Sequence, residues 1–358
     1  MCILCAPSLA PAAGFSDRLV DMINSAAIVQ MISVGHRTGL FDAMAGFPPS
    51  TSRQIADSIG LNERYVREWL GTMVTGRVIA HDPQAGTFWL PDDHASVLSR
   101  AASPDAMGHV AQFLPLLARV EDEIVECFRN GGGVPYERFP RFHEVMAEES
   151  GQSVVSHLLE HILPLVEGLD KRLDSGIRVL DIGCGRGEAV LRMAARFPAS
   201  RFVGYDLSPE AIGHARARAR ELGLSNARFE VRDLTGFSEP GSYDLITAFD
   251  AVHDQKDPAS VLAGIARSLR PGGVFLMQDI AGASDIAGNM DVPFSPFMYT
   301  VSCMHCMTVS LAQGGAGLGA KWGEQLALHM LGVAGLGEVE LRRLEHDPMN
   351  AYFIARAA

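Results

Sequence analysis

Apolar residues recur at helical spacing from Phe15 to Ala45 (Leu19, Met22, Ile23, Ala26, Val29, Met31, Ile32). Gly46 and Pro48-Pro49 close the run, so the pattern predicts one long helix. Ser52 is placed to cap a short helix that Gly60 ends. Asn62 is placed to cap a second one carrying Tyr65, Val66, Trp69, Leu70 and Met73. Two strand-like pieces follow, Val78–Ala80 and Thr87–Leu90, joined by the turn Asp82-Pro83-Gln84-Ala85-Gly86. Helical patterning returns over about 104–130, broken at Gly131-Gly132-Gly133, and again over 151–169 with Val154, Val155, Leu158, Leu159, Ile162 and Val166 inward. Asp170 to Ile177 reads as a polar link. Strands and helices then alternate, with strands expected at Arg178–Ile182, Arg201–Tyr205, Ala227–Val231, Tyr243–Phe249, Val274–Gln278, Val339–Leu344 and Ala351–Ala355. Helices are expected between the first six of these. The last two strands are close enough in sequence to form an antiparallel hairpin.

Helix–turn–helix followed by a hairpin is the pattern of a mainly α winged helix. The alternating half predicts an α/β, Rossmann-like, mostly parallel seven-stranded sheet with a C-terminal antiparallel hairpin. The expected boundaries are a disordered tail over 1–14, a winged-helix and dimerisation domain over 15–103, helical linker and substrate-pocket helices over 104–172, and the α/β domain over 173–358.

A length of 358 residues with 47% hydrophobic and 20% charged residues agrees with two folded domains. The formal net charge of −12 disfavours phosphate backbones and anionic membranes. No run of about 18 apolar residues predicts a membrane span. The start Met1-Cys2-Ile3-Leu4-Cys5-Ala6-Pro7 has no basic residue before its short apolar stretch, unlike a secretory signal. Six cysteines are too few for a disulfide scaffold and read as reduced thiols of a cytoplasmic protein.

Val179-Leu180-Asp181-Ile182-Gly183-Cys184-Gly185-Arg186-Gly187-Glu188 runs from a strand into a helix. Its G-x-G-x-G turn lets backbone approach a ligand closely. A carboxylate at Asp181 suits a cation, such as the ammonium group of an amino acid, where a dinucleotide loop would present a helix N-terminus to a pyrophosphate. Val190 stands where a dinucleotide fingerprint would carry its third glycine. Asp206 ends the next strand, 19 residues beyond Gly187, placed to accept two ribose hydroxyls, and Asp233 after the third strand could accept an adenine amine.

Arg178 to Ile280 resembles the S-adenosylmethionine-binding core of class I methyltransferases. The shared elements are the acid-glycine loop, Gly204-Tyr205-Asp206-Leu207-Ser208-Pro209, Asp233-Leu234, Tyr243 to Asp250, and Leu269-Arg270-Pro271-Gly272-Gly273, in that order. The resemblance implies S-adenosyl-L-methionine as cofactor, held by Asp181, Gly183, Gly185, Gly187, Asp206, Leu207, Asp233, Leu234 and Phe249. A winged helix joined to this core, with Ala251-Val252-His253-Asp254-Gln255 after the fourth strand, is similar to the small-molecule O-methyltransferases. That likeness implies His253 as general base. Gln255 replaces the usual tryptophan, and Asp279 is the candidate orienter, displaced from its expected place. The imidazole could equally pack against adenine or cap a helix. The same likeness implies a small-molecule acceptor, with a hydroxyl favoured and a thiol or amine open. It also implies a homodimer through the N-terminal domain, a substrate lid over about 282–320, and a pocket drawn from Met146, His157, Phe294, Tyr299, His305 and Cys306. Most of the chain, including the C-M-H-C stretch and Asp347-Pro348-Met349-Asn350-Ala351-Tyr352, also resembles a mycobacterial-type group of winged-helix methyltransferases.

Other motifs carry weaker chemistry. His157-Leu158-Leu159-Glu160-His161 matches a zinc-protease pattern without a downstream acidic ligand. Cys303-Met304-His305-Cys306 resembles half a metal site whose other half could be Cys2 and Cys5, but a helix without metal is the reading adopted. Gly314 to Gly319 follows no strand and reads as the loop before a helix. The competing functions are a transcriptional regulator that binds S-adenosylmethionine and an RNA methyltransferase. Residues 50–100 carry five basic residues (Arg53, Arg64, Arg67, Arg77, Arg100) against six acids, and the apolar face of Tyr65, Val66, Trp69 and Leu70 suits a partner subunit better than DNA. Phe249-Asp250-Ala251-Val252 replaces the Asn/Asp-Pro-Pro-aromatic motif of amino-group methyltransferases.

Overall fold

The computed structural model describes residues 14–102 and 106–357, so Cys2 and Cys5 lie outside the described residues. The chain forms two compact units, Met1–Pro115 and Leu116–Ala358.

In the first unit Gly39 takes a left-handed φ of 76°, which splits the single helix read over Phe15–Ala45 into α1 (Phe15–Thr38) and α2 (Leu40–Met44). Thr51, rather than Ser52, caps α3 (Ser52–Ser58). Its hydroxyl accepts from Gln54 N while Gln54 Oε1 accepts from Thr51 N, and the Ser52 hydroxyl donates to Glu63 instead. Asn62 caps α4 (Glu63–Thr75) as expected. The hairpin is shifted from the predicted place, to β1 (Ala80–Asp82) and β2 (Thr87–Trp89). The amides of Val78 and Ile79 close the end of α4 by donating to Met73 O, which removes them from the strand. A short α5 (Asp92–Leu98) completes the winged helix.

The apolar face of α4 is not available to a partner. Val66, Trp69 and Leu70 are buried in the unit's own core, where Trp69 meets Phe41 edge-on at 5.3 Å and donates its indole N–H to Met31 O. Only Tyr65 of that face is exposed. The first half of α1 exposes Phe15, Leu19, Val20, Met22 and Ile23. An 18-residue window of α1 reaches a mean hydropathy of 1.2, so by length and composition this helix meets the minimum for a membrane span.

The helical stretch predicted over 104–130 is interrupted. A 3₁₀ turn at Gly108–Gln112, α6 (Phe113–Leu117) containing Pro115, and a second 3₁₀ turn at Ala118–Val120 precede α7 (Glu121–Asn130). Beyond it lie α8 (Phe142–Ser150) and two π-helical turns, Gly151–Val155 and Leu158–Ile162, in place of the regular helix predicted over 151–169. The stretch read as a polar link is α9 (Leu169–Ser175), anchored by the fully buried Leu169 and Leu173.

The sheet of the second unit contains β3 (Arg178–Ile182), β4 (Arg201–Asp206), β5 (Ala227–Val231), β6 (Tyr243–Phe249), β7 (Leu269–Ile280), β8 (Leu336–Leu344) and β9 (Asp347–Ala357). Their order is β5-β4-β3-β6-β7-β9-β8, parallel through β7 and antiparallel over β7–β9–β8. Crossover helices α10 (Glu188–Arg196), α11 (Pro209–Glu221) and α12 (Pro258–Ser268) link the parallel strands. Among the described elements no helix joins β5 to β6, contrary to expectation. That connection is a turn held by Phe237 N on Leu234 O and Glu239 N on Ser268 Oγ. The Arg270–Gly273 turn is part of β7, looped out where the register against β6 shifts between Tyr243 and Leu245. The helices α13 (Ser295–Val301) and α14 (Met307–Ala312) flank a third π-helical turn, Ser302–Cys306, and α15 (Glu324–Val333) precedes the final hairpin.

Candidate active site

The strand order reverses between β3 and β6, and in open α/β sheets ligands bind beyond the carboxyl ends of the strands at such a point. The glycine loop lies there. Gly183 has φ +66°, and a Cβ on it would stand 2.4 Å from Ala251 Cβ. Gly187 caps α10 at φ +81°, where a Cβ would strike the Phe229 ring. Gly185, also left-handed, faces open space within 4 Å. Two glycines therefore satisfy packing, and one leaves room for a ligand.

Asp181 is buried at the end of β3, between Gly204 of β4 and Thr247 of β6 in register. Thr247 Oγ1 donates to its Oδ1 at 2.6 Å. Burial pushes the Asp181 pKa up to about 7 against that hydrogen bond, and the neighbouring Asp206 carboxylate adds to the rise. Asp206 is half-buried and receives Gly185 N on Oδ2 and Ser208 N on Oδ1, each at 2.8 Å. Of the remaining cofactor candidates, Asp233 is exposed and accepts from Thr235 N, Leu207 is 47% exposed, Leu234 is buried, and Phe249 is half-buried.

After β6, Asp250 adopts an unusual φ of +50° and is clasped by Gln278, which donates Nε2 to Oδ2 and accepts the Asp250 amide on its carbonyl. This turn delivers His253, which is 3% exposed. Its Nδ1 lies 2.7 Å from Asp279 Oδ1, so Nδ1–H donates to a carboxylate at the end of β7. The same Oδ1 also accepts from Trp322 Nε1 (3.0 Å) and Ile280 N (2.8 Å). On the other side of the ring, Nε2 lies 3.3 Å from Asp254 Oδ1, and the Tyr136 hydroxyl donates to Asp254 Oδ2 at 3.0 Å. Burial works against the imidazolium. The carboxylates of Asp279 and Asp254 outweigh it and hold the His253 pKa well above the ordinary range.

The π-helical turn at Ser302–Cys306 aims two side chains inward. Cys306 meets His253, and burial pushes its thiol up to about 12. His305 is fully buried, stacked on Phe142 at 3.5 Å and edge-on to Phe139 and Tyr136, with neither ring nitrogen hydrogen-bonded. Burial drops its pKa to about 4, leaving it neutral. Met146 is half-buried on α8, the helix that supplies Phe142. The remaining pocket candidates lie on or beside α13 (Phe294, Tyr299) and beside the second π-helical turn (His157). The Tyr299 hydroxyl accepts from Asn289 Nδ2, Phe294 is 43% exposed, and His157 stacks on His346 beside His161. The functional-looking partners without a sequence signal are Tyr136, Thr247 and Trp322, each brought in from a distant segment.

Residues 173–326 match the family model described as a methyltransferase domain, and residues 26–100 match that of an Rv2258c-like winged helix-turn-helix domain. The chain joins a class I methyltransferase domain to an N-terminal winged helix. The chain is 34% identical over 100 residues to a ubiquinone biosynthesis O-methyltransferase of Methylococcus capsulatus, covering 28% of this chain and 41% of the relative. It is 38% identical over 101 residues to a trans-aconitate 2-methyltransferase of Deinococcus radiodurans, covering 28% and 37%. The chain thus spans about two fifths of the length of these curated relatives. The fold as a whole resembles human N-acetylserotonin methyltransferase solved with its cofactor (TM-score 0.68, 17% identity, 98% of this chain and 100% of that one). It also resembles the mitomycin 7-O-methyltransferase MmcR (TM-score 0.68, 19% identity, 96% and 98%). S-adenosylmethionine, the cofactor of the class, fits the residues present. Gly185 leaves open space, the buried Asp181 carboxyl suits a cation, and Asp206 retains acceptor capacity beyond its two backbone bonds.

Proposed function

We propose that the protein transfers a methyl group from S-adenosylmethionine to a hydroxyl of a small-molecule acceptor, with His253 as general base and Asp279 as its orienting partner. The observation that carries this reading is the contact between two loops. Gly183 of the glycine loop is packed so closely on Ala251 that a Cβ would not fit, and Ala251 is two residues from His253. That contact supports a ligand loop and a base that work on one crevice.

When bound, the cofactor supplies an electrophilic methyl group on a sulfonium. Asp181 and the glycine loop would hold its amino-acid end and Asp206 its ribose, with Asp233, Leu207, Leu234 and Phe249 as the adenine side. Asp279 accepts Nδ1–H, which leaves Nε2 as the nitrogen that can take the hydroxyl proton. With the methyl group supplied by the cofactor, the proton leaving the acceptor would rest on Nε2, where Asp279 and Asp254 balance its charge. Positioning contributes the rest of the rate.

Dimerisation through the N-terminal unit is part of the proposal, supported by the apolar residues exposed on α1. A reducing compartment is supported by the four free cysteines among the described residues. The regulator reading gains little from α4, where Arg64 and Arg67 are paired to Glu68 and Glu63. Incubation with cofactor and a panel of phenols, carboxylic acids, thiols and amines should release S-adenosylhomocysteine with hydroxylated members first. Release with none of them would overturn the proposal. Retention of a defined DNA fragment at physiological salt would favour the regulator.

A further inference from the structure

The Nε2 side of His253 holds a further arrangement built around the base nitrogen itself, with one donor, Cys306, that methyl transfer does not use. A ring nitrogen of His253, a carboxylate oxygen of Asp254 and Cys306 Sγ all lie within 4.8 Å of one another in the interior, with Nε2 on the Asp254 side. Cys306 is 6% and His253 3% exposed, and the Asp254 side chain 13%. Two loops distant in sequence converge there, the turn after β6 and the π-helical turn at Ser302–Cys306.

We propose that these three side chains form a site for one thiophilic divalent metal ion, of the zinc class. Imidazole, carboxylate and thiolate are the three donor types that zinc accepts in tetrahedral sites. Bond lengths of about 2.0–2.2 Å to nitrogen and oxygen at a tetrahedral angle put those two donors about 3.4 Å apart. His253 Nε2 and Asp254 Oδ1 stand at 3.3 Å. The outer partners agree as well. Metal-binding histidines give their other N–H to a carboxylate, and bound carboxylates are themselves hydrogen-bonded. Asp279 takes Nδ1–H of His253, and Tyr136 occupies Asp254 Oδ2, which leaves Oδ1 facing His253 Nε2. Three donors leave a fourth position for water or another small ligand.

On binding, the Cys306 thiol and the His253 imidazolium each release a proton to solvent, and the metal takes the freed lone pairs. Resting on the reading of His253 as base, the metal and the acceptor's proton compete for Nε2, so zinc inhibits methyl transfer. The neighbouring pattern Cys303-x-x-Cys306 would instead use Cys303, so Cys303→Ser discriminates the two.

The test is cobalt titration of the full metal-free chain without cofactor or acceptor. One equivalent should give a thiolate-to-cobalt charge-transfer band with strong tetrahedral visible bands, both displaced by zinc. Cys306→Ser should abolish the charge-transfer band and Asp254→Asn weaken binding tenfold or more, while Cys303→Ser keeps the full spectrum. X-ray absorption of the zinc-loaded wild type, which needs no variant, should show one sulfur at about 2.3 Å and the remaining ligands as nitrogen or oxygen near 2.0–2.2 Å. No band, a band surviving in Cys306→Ser, or a sulfur count other than one would overturn the proposal. Failure of the base reading shows separately, as turnover by a chelator-treated His253→Ala enzyme.

Discussion

Nδ1 of His253 and Oδ1 of Asp279 are 2.7 Å apart, and the same carboxylate oxygen is held by the indole of Trp322 and the amide of Ile280. Three donors on one oxygen fix the carboxylate and, through it, the ring and its tautomer. His253→Ala is expected to lower turnover by about 10²–10⁴-fold, the usual contribution of a general base. S-adenosylhomocysteine binding, followed by calorimetry, should be retained. Asp279→Asn should lose a large part of the same factor, because an amide cannot balance the imidazolium. Equal loss of binding and turnover in His253→Ala would indicate a cofactor contact instead.

The raised His253 pKa gives turnover a direction with pH. The neutral, base-competent imidazole becomes more abundant as pH rises, so kcat/KM in metal-free buffer should climb above the ordinary imidazole value of about 6.5 before levelling. Replacing Asp254 by Asn should move that limb to lower pH by removing one of the two carboxylates. A profile that is flat from neutral to alkaline pH would contradict a histidine base.

Asp181 makes a complementary prediction for binding. With its pKa near 7, the carboxyl is partly protonated at neutral pH, and a cationic ligand favours the ionised form. Affinity for S-adenosylhomocysteine should fall as pH drops below about 7, and Asp181→Asn should bind weakly with a flatter dependence. The ligand-free chain behaves oppositely. A carboxyl whose folded pKa is raised stabilises below its unfolded value of about 3.9, and that stability is lost as pH rises through 7. Ligand-free Asp181→Asn should therefore melt no lower than wild type at pH 8, which calorimetric scanning would check.

The glycines separate fold from ligand. Alanine at either Gly183 or Gly185 bears the left-handed penalty of about 1–2 kcal/mol. At Gly183 the added methyl group also collides with Ala251, so that variant should lose solubility or melt markedly earlier. Gly185→Ala should stay folded and lose cofactor affinity. Identical melting of the two variants would contradict this division.

His305 is a neutral, unsatisfied imidazole inside an aromatic cluster. Its unfolded form binds a proton at about 6.5 and its folded form only near 4, so it takes away stability as pH falls through that window. His305→Phe should narrow the acid destabilisation between pH 6.5 and 4 in denaturant titrations. An unchanged slope would place the acid sensitivity elsewhere.

Much of the α/β half was legible because local rules suffice there. β3, β4, β5 and β6 lie within a residue of their apolar runs, and the G-x-G-x-G turn can only be a strand-to-helix turn with left-handed glycines. The misreadings share a different cause. Val78 and Ile79 look like strand, yet their amides complete a helix end, and Leu169 and Leu173 anchor a polar-looking link as a helix on the core. Whether an apolar face points inward is a tertiary fact, as Val66 and Trp69 demonstrate.

Spacing and residue type by themselves determined the alternating sheet, the acid-glycine loop, and the presence of a histidine and an acid after the fourth and fifth parallel strands. Those features follow from short-range sterics and from which side chains can end a strand. Only the tertiary structure decided that Asp279 reaches Nδ1, that Trp322 and Tyr136 from distant segments brace the two carboxylates, and that a π-helical turn brings Cys306 to His253. Hydrogen bonds between groups tens or hundreds of residues apart leave no periodicity in the chain. They exist because close packing at the sheet's carboxyl edge buries polar groups that must find one another.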